Sequence, residues 1–334
     1  PSPPHLREVR AELSNACGYS CFCCPREQHT REVGQMSFRQ LEILAERLAF
    51  LSEPFALHLH GFGEPMLVHE APRKIALLKQ RLPLARTKLL TTLGYDVDED
   101  YLAAFFSATD ELTVSFYGRD REEYCAVHGT DRFELAQRNL NRIVELATAT
   151  GRQSALCVKM MDSETGGFDP QLKARLDDAD IPNYVTGLHN FGSEFRFQQP
   201  GSFPCSVGWG FLRDVLQVSW NLNVIPCCFV INDDYVFGNL EKMSVGEIMA
   251  AEPYRHFITD HLNNDVDKYP FCAKCQRDHA GSSEQIVAIE CHAGSGVPGA
   301  ERNKEAAVIP SAVLENHIRW RFDERTDGRT LAVW

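Results

Sequence analysis

Between about residues 7 and 190, short β-rich runs alternate with longer runs of helical period, and this alternation constrains the fold more than any other feature. REVRAELS, FALHLHG, TKLLTTL, ELTVSFYG, ALCVKMM and NYVTGLHN read as strands. Between them, MSFRQLEILAERLAFL, APRKIALLKQRL, YLAAFFSA, RFELAQRNLNRIVELATA and PQLKARLDDA carry apolar residues at spacings of three and four and read as helices. Such a pattern predicts an α/β fold: a parallel sheet with helices packed outside it, open or curled into a partial barrel, with chemistry at the carboxyl ends of the strands. From about 200 to 280 the pattern changes to a hairpin (DVLQVSW, NLN, VIPCCFV), then GNL, a helix at SVGEIMAAE and a CAKC turn. The expected division is a first domain over 1–198, a small α+β domain over 199–280 and a polar, mixed extension over 281–334.

The chain has 334 residues, more than one hydrophobic core usually serves, so two domains are reasonable on size alone. It carries 46 acidic against 34 basic side chains and no Lys/Arg-rich block, which argues against nucleic acid as the main partner, because phosphate contacts need clustered positive charge. No apolar run approaches the ~18 residues of a membrane span, and the opening PSPPHLREVR is not built like a secretory signal. The expectation is a cytoplasmic protein with no membrane partner.

Twelve cysteines fall mainly into two groups, and in a chain this large they do not look like a disulfide scaffold. Cys17, Cys21 and Cys24 stand in CxxxCxxC spacing on a loop that follows the first strand. Structural zinc and a closed 4Fe-4S cluster each want four ligands, so three thiolates leave one metal position open. A zinc knuckle is the bland alternative. The second group is Cys205, Cys227, Cys272 and Cys275, a set of four that completes either a cluster or a zinc site. Cys125 and Cys157 read as structural, and Cys228 and Cys291 are left over.

On these residues the sequence resembles the radical S-adenosylmethionine superfamily. Its hallmark is CxxxCxΦC after the first strand, matched by Cys17, Cys21 and Cys24. The usual aromatic position holds Cys23, with Phe22 beside it as the loop's aromatic candidate for cofactor contact. Gly61, Phe62, Gly63, Glu64 and Pro65, at the end of the second strand, resemble the family's GGEP segment, whose backbone and glutamate meet the methionine amino group. Ser115 falls where related enzymes contact ribose or the methionine carboxylate, and GLHNFG after the sixth strand resembles the adenine-side loop. The run FPC, hairpin, IPCC, GNL, CxxC resembles the twitch and SPASM auxiliary domains, the shorter twitch form being favoured. The resemblance implies a partial (β/α)6 barrel, two 4Fe-4S clusters, S-adenosyl-L-methionine, and an electron donor such as flavodoxin or ferredoxin. It also implies a 5'-deoxyadenosyl radical that abstracts hydrogen from a substrate.

Strand alternation turns His58 and His60 to the face opposite Leu57 and Leu59, and places Thr113, Ser115 and Tyr117 on one face and Lys159 opposite Val158 and Met160. Glu12 faces inward by the same count. His58, His60 and Lys159 are therefore candidate bases, and Cys228 a candidate hydrogen donor; core packing is the plain alternative for each. The favoured activity is two-electron dehydrogenation of a polar small molecule (aminocyclitol, sugar or nucleoside), with the auxiliary cluster as electron acceptor. The rivals are a carbohydrate epimerase using Cys228 or Tyr117 as hydrogen donor, a peptide or protein maturase, and a non-enzymatic zinc module. A maturase is expected to carry a leader-binding domain, for which Cys17 stands too near the start.

Overall fold

The structure, a computed structural model, describes residues 6–161, 169–186 and 214–275. Its centre is a nine-stranded sheet in the order β6-β5-β4-β3-β2-β1-β7-β8-β9. The strands are β1 Glu8–Ala11, β2 Phe55–His58, β3 Ala85–Thr91, β4 Glu111–Ser115, β5 Leu156–Met161, β6 Asn183–Thr186, β7 Val215–Val218, β8 Asn223–Ile225 and β9 Gly238–Asn239. Between β1 and β6 run α1 Phe38–Leu48, α2 Ala71–Arg81, α3 Glu99–Ala108, α4 Arg121–His128, α5 Phe133–Ala149 and α6 Pro170–Asp178. After β9 come α7 Val245–Ala250, α8 Glu252–Leu262 and α9 Pro270–Lys274.

β1 to β6 lie side by side in chain order and all parallel, so the winding never reverses. Right-handed crossovers of that kind put every helix on the same face and leave the other as an interior, which is the partial barrel rather than the open doubly wound sheet. The outer face carries Val9, Ala11, Leu57, Leu59, Leu89, Leu112, Val114, Leu156, Val158 and Met160, all in one buried core with the helices. α1 shows how the sequence directs this. Ser37 and Gln40 form a reciprocal cap at its start, and Leu41, Leu44, Ala45 and Leu48 bury one stripe. Each leucine so buried contributes about 1.5–3 kcal/mol.

The expected hairpin is present, but it does not stand apart. β7 pairs parallel with the free edge of β1 (Val9 with Leu216, Arg10 with Gln217), and β8 and β9 add antiparallel strands beyond it. The barrel sheet thus runs on into the segment bearing the later cysteines. α4 and α8 were not expected from the sequence. Among the described residues no helix is long and apolar enough to cross a membrane. Cys205, Cys291, the GLHNFG loop and the 281–334 extension lie outside the described residues.

Candidate active site

The cysteine loop leaves the end of β1 and is held by its neighbours' backbone. Ser20 N donates to His128 O at 3.2 Å, Phe22 N to Val127 O at 3.0 Å and Glu64 N to Ala16 O at 2.8 Å. Gly18 N donates to the Tyr95 hydroxyl at 3.1 Å, and the Arg26 guanidinium to Asn15 O at 2.7 Å. Cys17, Cys21 and Cys24 are all half-buried free thiols. Cys21 and Cys24 line a cavity of about 140 Å³ with Tyr19, Ser20 and Arg26. Burial raises all three thiols, and nearby thiol groups raise Cys21 and Cys24 further, Cys24 to about 12.

Ionised together, Cys17, Cys21 and Cys24 would repel one another unless positive charge were supplied, a donor set whose chemistry fits a metal cluster. Among the described residues no three His, Cys, Asp or Glu side chains are gathered to hold a single metal ion. A cubane asks for a different arrangement, one thiol for each iron corner.

The GFGEP segment is pressed against this loop. A Cβ on Gly63 would stand 2.1 Å from Ser14 O, and one on Gly61 would stand 2.6 Å from the Glu12 side chain, so only glycine permits the approach. Glu64, expected to meet an ammonium group, is engaged by donors of the protein itself. Its carboxylate is buried and turned to the end of β3, accepting from Thr92 N and Thr92 Oγ1, both at 2.9 Å, from Met66 N at 3.1 Å, and from the Thr91 hydroxyl. Burial raises its pKa, and those hydrogen bonds pull the other way. Glu64 also braces the cysteine loop through its backbone N–H, which donates to Ala16 O.

The interior face carries a polar belt. Cross-strand register sets Gln217, Arg10, His58 and Lys88 in one row across β7, β1, β2 and β3. Arg10 pairs with Glu8 and donates to Cys228 Sγ at 3.2 Å; His58 Nε2 lies 3.4 Å from Glu8 Oε1, and the His58 and His60 rings are 5.4 Å apart. Burial first, then the cations Arg10 and Lys88, holds His58 far below the ordinary imidazole value; burial, His58 and Arg10 do the same for His60. Both are therefore neutral in the folded protein.

Lys159 belongs to another part of the belt. Burial lowers its pKa while Cys23 and Cys157 oppose the shift. Ser115, opposite Lys159 in the ladder, accepts from the Tyr117 hydroxyl at 3.2 Å. Phe22 and Cys23 pack on Tyr117, Val127 and Met161, a small apolar patch.

A second hub ties the ends of the strands together. Glu12, buried, accepts from both Arg31 nitrogens at 2.9 and 3.0 Å, from Phe62 N at 3.1 Å and from Trp220 N at 3.2 Å. Arg31 also meets Asp233 at 3.2 Å and Ile231 O at 2.9 Å. Glu8, Arg10, Gln217 and Arg31 were not singled out in the sequence. Strand parity marks Glu8 and Arg10 as inward, but the pairing of β1 with a strand some 200 residues away leaves no local signal.

The later cysteines divide in two directions. Cys227 and Cys272 pack against the main core and Cys275 is buried, its N–H donating to Cys272 O at 3.2 Å across the CxxC turn. Cys228 faces the interior at Arg10 instead.

Partial barrel, cysteine loop and auxiliary segment agree with the comparisons that follow, which support a radical S-adenosylmethionine enzyme with a SPASM domain and, as cofactors, 4Fe-4S clusters and S-adenosylmethionine. The SPASM family, an iron-sulfur cluster-binding domain, matches residues 205–276. Among curated relatives, GTP 3',8-cyclase of Chlorobaculum tepidum is 24% identical over 47% of this chain, a match spanning 46% of that enzyme. The S-adenosyl-L-methionine-dependent 2-deoxy-scyllo-inosamine dehydrogenase of Niallia circulans is 19% identical over 83% of this chain and 95% of its own length. In fold, the chain resembles BtrN crystallised with AdoMet and 2-DOIA, with TM-score 0.61, 17% identity, and coverage of 84% of this chain and 96% of that one. It also resembles anSMEcpe with bound AdoMet, with TM-score 0.56, 16% identity, and coverage of 84% and 92%.

Proposed function

We propose that the chain is a two-electron alcohol dehydrogenase acting on a polar small molecule of the aminocyclitol, sugar or nucleoside kind. The observation that carries this reading is the interior belt of Glu8, Arg10, His58, His60 and Gln217, hydrogen-bonding groups suited to a polyol. The likeness to the 2-deoxy-scyllo-inosamine dehydrogenase over most of both chains supports it. Cys17, Cys21 and Cys24 would hold the first cluster; Cys205, Cys227, Cys272 and Cys275 would hold the auxiliary one. When bound, the first cluster and S-adenosylmethionine supply reductive sulfonium cleavage and the radical that removes a substrate hydrogen atom.

The chain's own residues then have defined tasks. Backbone groups of Gly61–Gly63, with Ser115 and Phe22, line the cofactor's side. Arg10 and Glu8 orient hydroxyl or amino groups of the substrate. Neutral His58 or His60 takes the hydroxyl proton; an imidazolium at His58 presents Nε2–H to Glu8 Oε1, which offsets the new charge. Lys159 stands by as the alternative base. A cluster held by Cys205, Cys227, Cys272 and Cys275 would serve as the acceptor of the substrate electron, and a flavodoxin or ferredoxin type donor would reduce the one held by Cys17, Cys21 and Cys24.

A second reading, carbohydrate epimerisation, is favoured by the Cys228 thiol turned into the interior. Anaerobic incubation with S-adenosylmethionine, reductant and a panel of aminocyclitols and sugars separates the two. A dehydrogenase consumes one S-adenosylmethionine for each product and makes a product two hydrogens lighter. An epimerase leaves the mass unchanged and takes deuterium from heavy water, and Cys228→Ala abolishes that. Turnover of a peptide alone, with none of the small molecules, would overturn both readings in favour of a maturase.

A further inference from the structure

We propose that His128 is a positioning residue for the first cluster, donating a hydrogen bond from Nδ1 to the Cys21 sulfur and thereby holding the cluster's reduction potential up. The inference rests on the reading that Cys17, Cys21 and Cys24 hold that cluster. Nδ1 of His128 lies 3.4 Å from Cys21 Sγ. A cluster-bound thiolate carries no proton and can only accept, so the hydrogen of this bond must sit on Nδ1.

The ring is locked in place. His128 is wholly buried, stacked on Tyr117 at 5.2 Å with planes 7° apart, and its centroid is 4.1 Å from that of Tyr124. Its other nitrogen, Nε2, is buried without a hydrogen-bond partner among the described residues, so the ring's polar side-chain contact there is the cysteine sulfur at Nδ1. A buried imidazole with one nitrogen unsatisfied costs stability, and a fold that carries it needs a return at the other nitrogen.

The backbone around the ring serves the same contact. The last turn of α4 accepts two cysteine-loop N–H groups, Phe22 N at Val127 O and Ser20 N at His128 O. Gly129, at φ 64°, ends the helix where a Cβ would lie 2.2 Å from Ser20 O. The loop therefore cannot drift from α4 without losing three hydrogen bonds together. Hydrogen bonds to the sulfurs of an iron–sulfur cluster stabilise its more negative, reduced state, which raises the potential.

The test uses the full chain reconstituted anaerobically, with potentials read by EPR-monitored redox titration. The signal that changes when S-adenosylmethionine is added identifies the first cluster. His128→Phe keeps an aromatic ring between the tyrosines and removes the donor; its first-cluster midpoint is expected to move to more negative potential with iron content unchanged. His128→Gln restores a donor and is expected to recover part of the shift. In the unsubstituted protein, pulsed EPR with 15N-histidine should show a weak nitrogen coupling to that cluster, lost in His128→Phe. An unchanged midpoint in His128→Phe overturns the proposal. Should that variant fail to hold a cluster, absence of the coupling in the unsubstituted protein overturns it instead. If no signal responds to S-adenosylmethionine, the cluster assignment itself has failed, and the proposal falls with it.

Discussion

Replacing Arg31 by methionine tests the hub that joins β1, the GFGEP segment and the hairpin. The Arg31 side chain is 7% exposed and its Glu12 partner 3%, so the substitution leaves a carboxylate buried with no cation beside it among the described residues. Removing one partner of a buried ion pair costs about 3–5 kcal/mol. Glu12 keeps two backbone donors, Phe62 N and Trp220 N, and Asp233 keeps Ser219 and Asn223, so the lower end applies, about 3 kcal/mol. At roughly 2 °C for each kcal/mol in a chain of this size, the melting temperature should fall by about 6 °C.

The assay is anaerobic thermal denaturation of the holoenzyme at one scan rate, for Arg31→Met, Glu12→Gln and the pair. Because Glu12→Gln removes the stranded charge, the double variant should be less destabilised than the sum of the singles by at least about 1.5 kcal/mol. A loss under about 1 kcal/mol in Arg31→Met, the size of a surface pair, refutes the reasoning. So does additivity of the two substitutions.

Three further outcomes follow from the same geometry. Gly63→Ala drives a methyl group into Ser14 O, so the GFGEP segment must withdraw from the cysteine loop; S-adenosylmethionine binding, measured by equilibrium dialysis, should weaken at least tenfold. Glu64→Gln places an amide N–H against donors from Thr91, Thr92 and Met66, and should cost about 1–3 kcal/mol, read by the same thermal assay. Finally, His58 and His60 are held neutral by the fold, whereas in the unfolded chain they take up protons as pH falls through the ordinary value of 6.5. Their depressed folded pKa values make stability full above pH 6.5 and progressively lost below it, by up to about 1.4 kcal/mol per pH unit for each imidazole. Denaturation midpoints from pH 7.5 to 5 should show a shallower decline in His60→Gln; an unaltered slope would contradict the assignment.

Much of this molecule was legible in the chain because local signals agreed with the global fold. α1 announces itself through Ser37, Gln40 and an apolar stripe, and β2 through the alternation of Leu57 and Leu59 with His58 and His60. α4 escaped because REEYCAVH is short and opens on three charged residues; its start rests on the Asp120 cap and its end on Gly129. α8 was more readable, since Tyr254, Phe257, Ile258 and His261 form a regular buried stripe, but the helix opens with Glu-Pro, which reads as a break as easily as a beginning. The interior belt was half legible. Parity gives the face of each strand, whereas only strand pairing tells that Gln217 stands beside Arg10. Glu64 was legible through its motif, whereas its hydrogen bonds from Thr92, on a segment some 28 residues away, were not.

The seating of β7 on β1 has a consequence for anyone who would cut the chain in two. Severed near residue 198, the amino-terminal piece would present a bare strand edge, with Arg10 deprived of Cys228 and Glu12 of the Trp220 amide. An exposed edge of that kind invites association with other chains. What looks like an appended cofactor module is, in hydrogen bonds, the completion of the strand from which the catalytic loop springs.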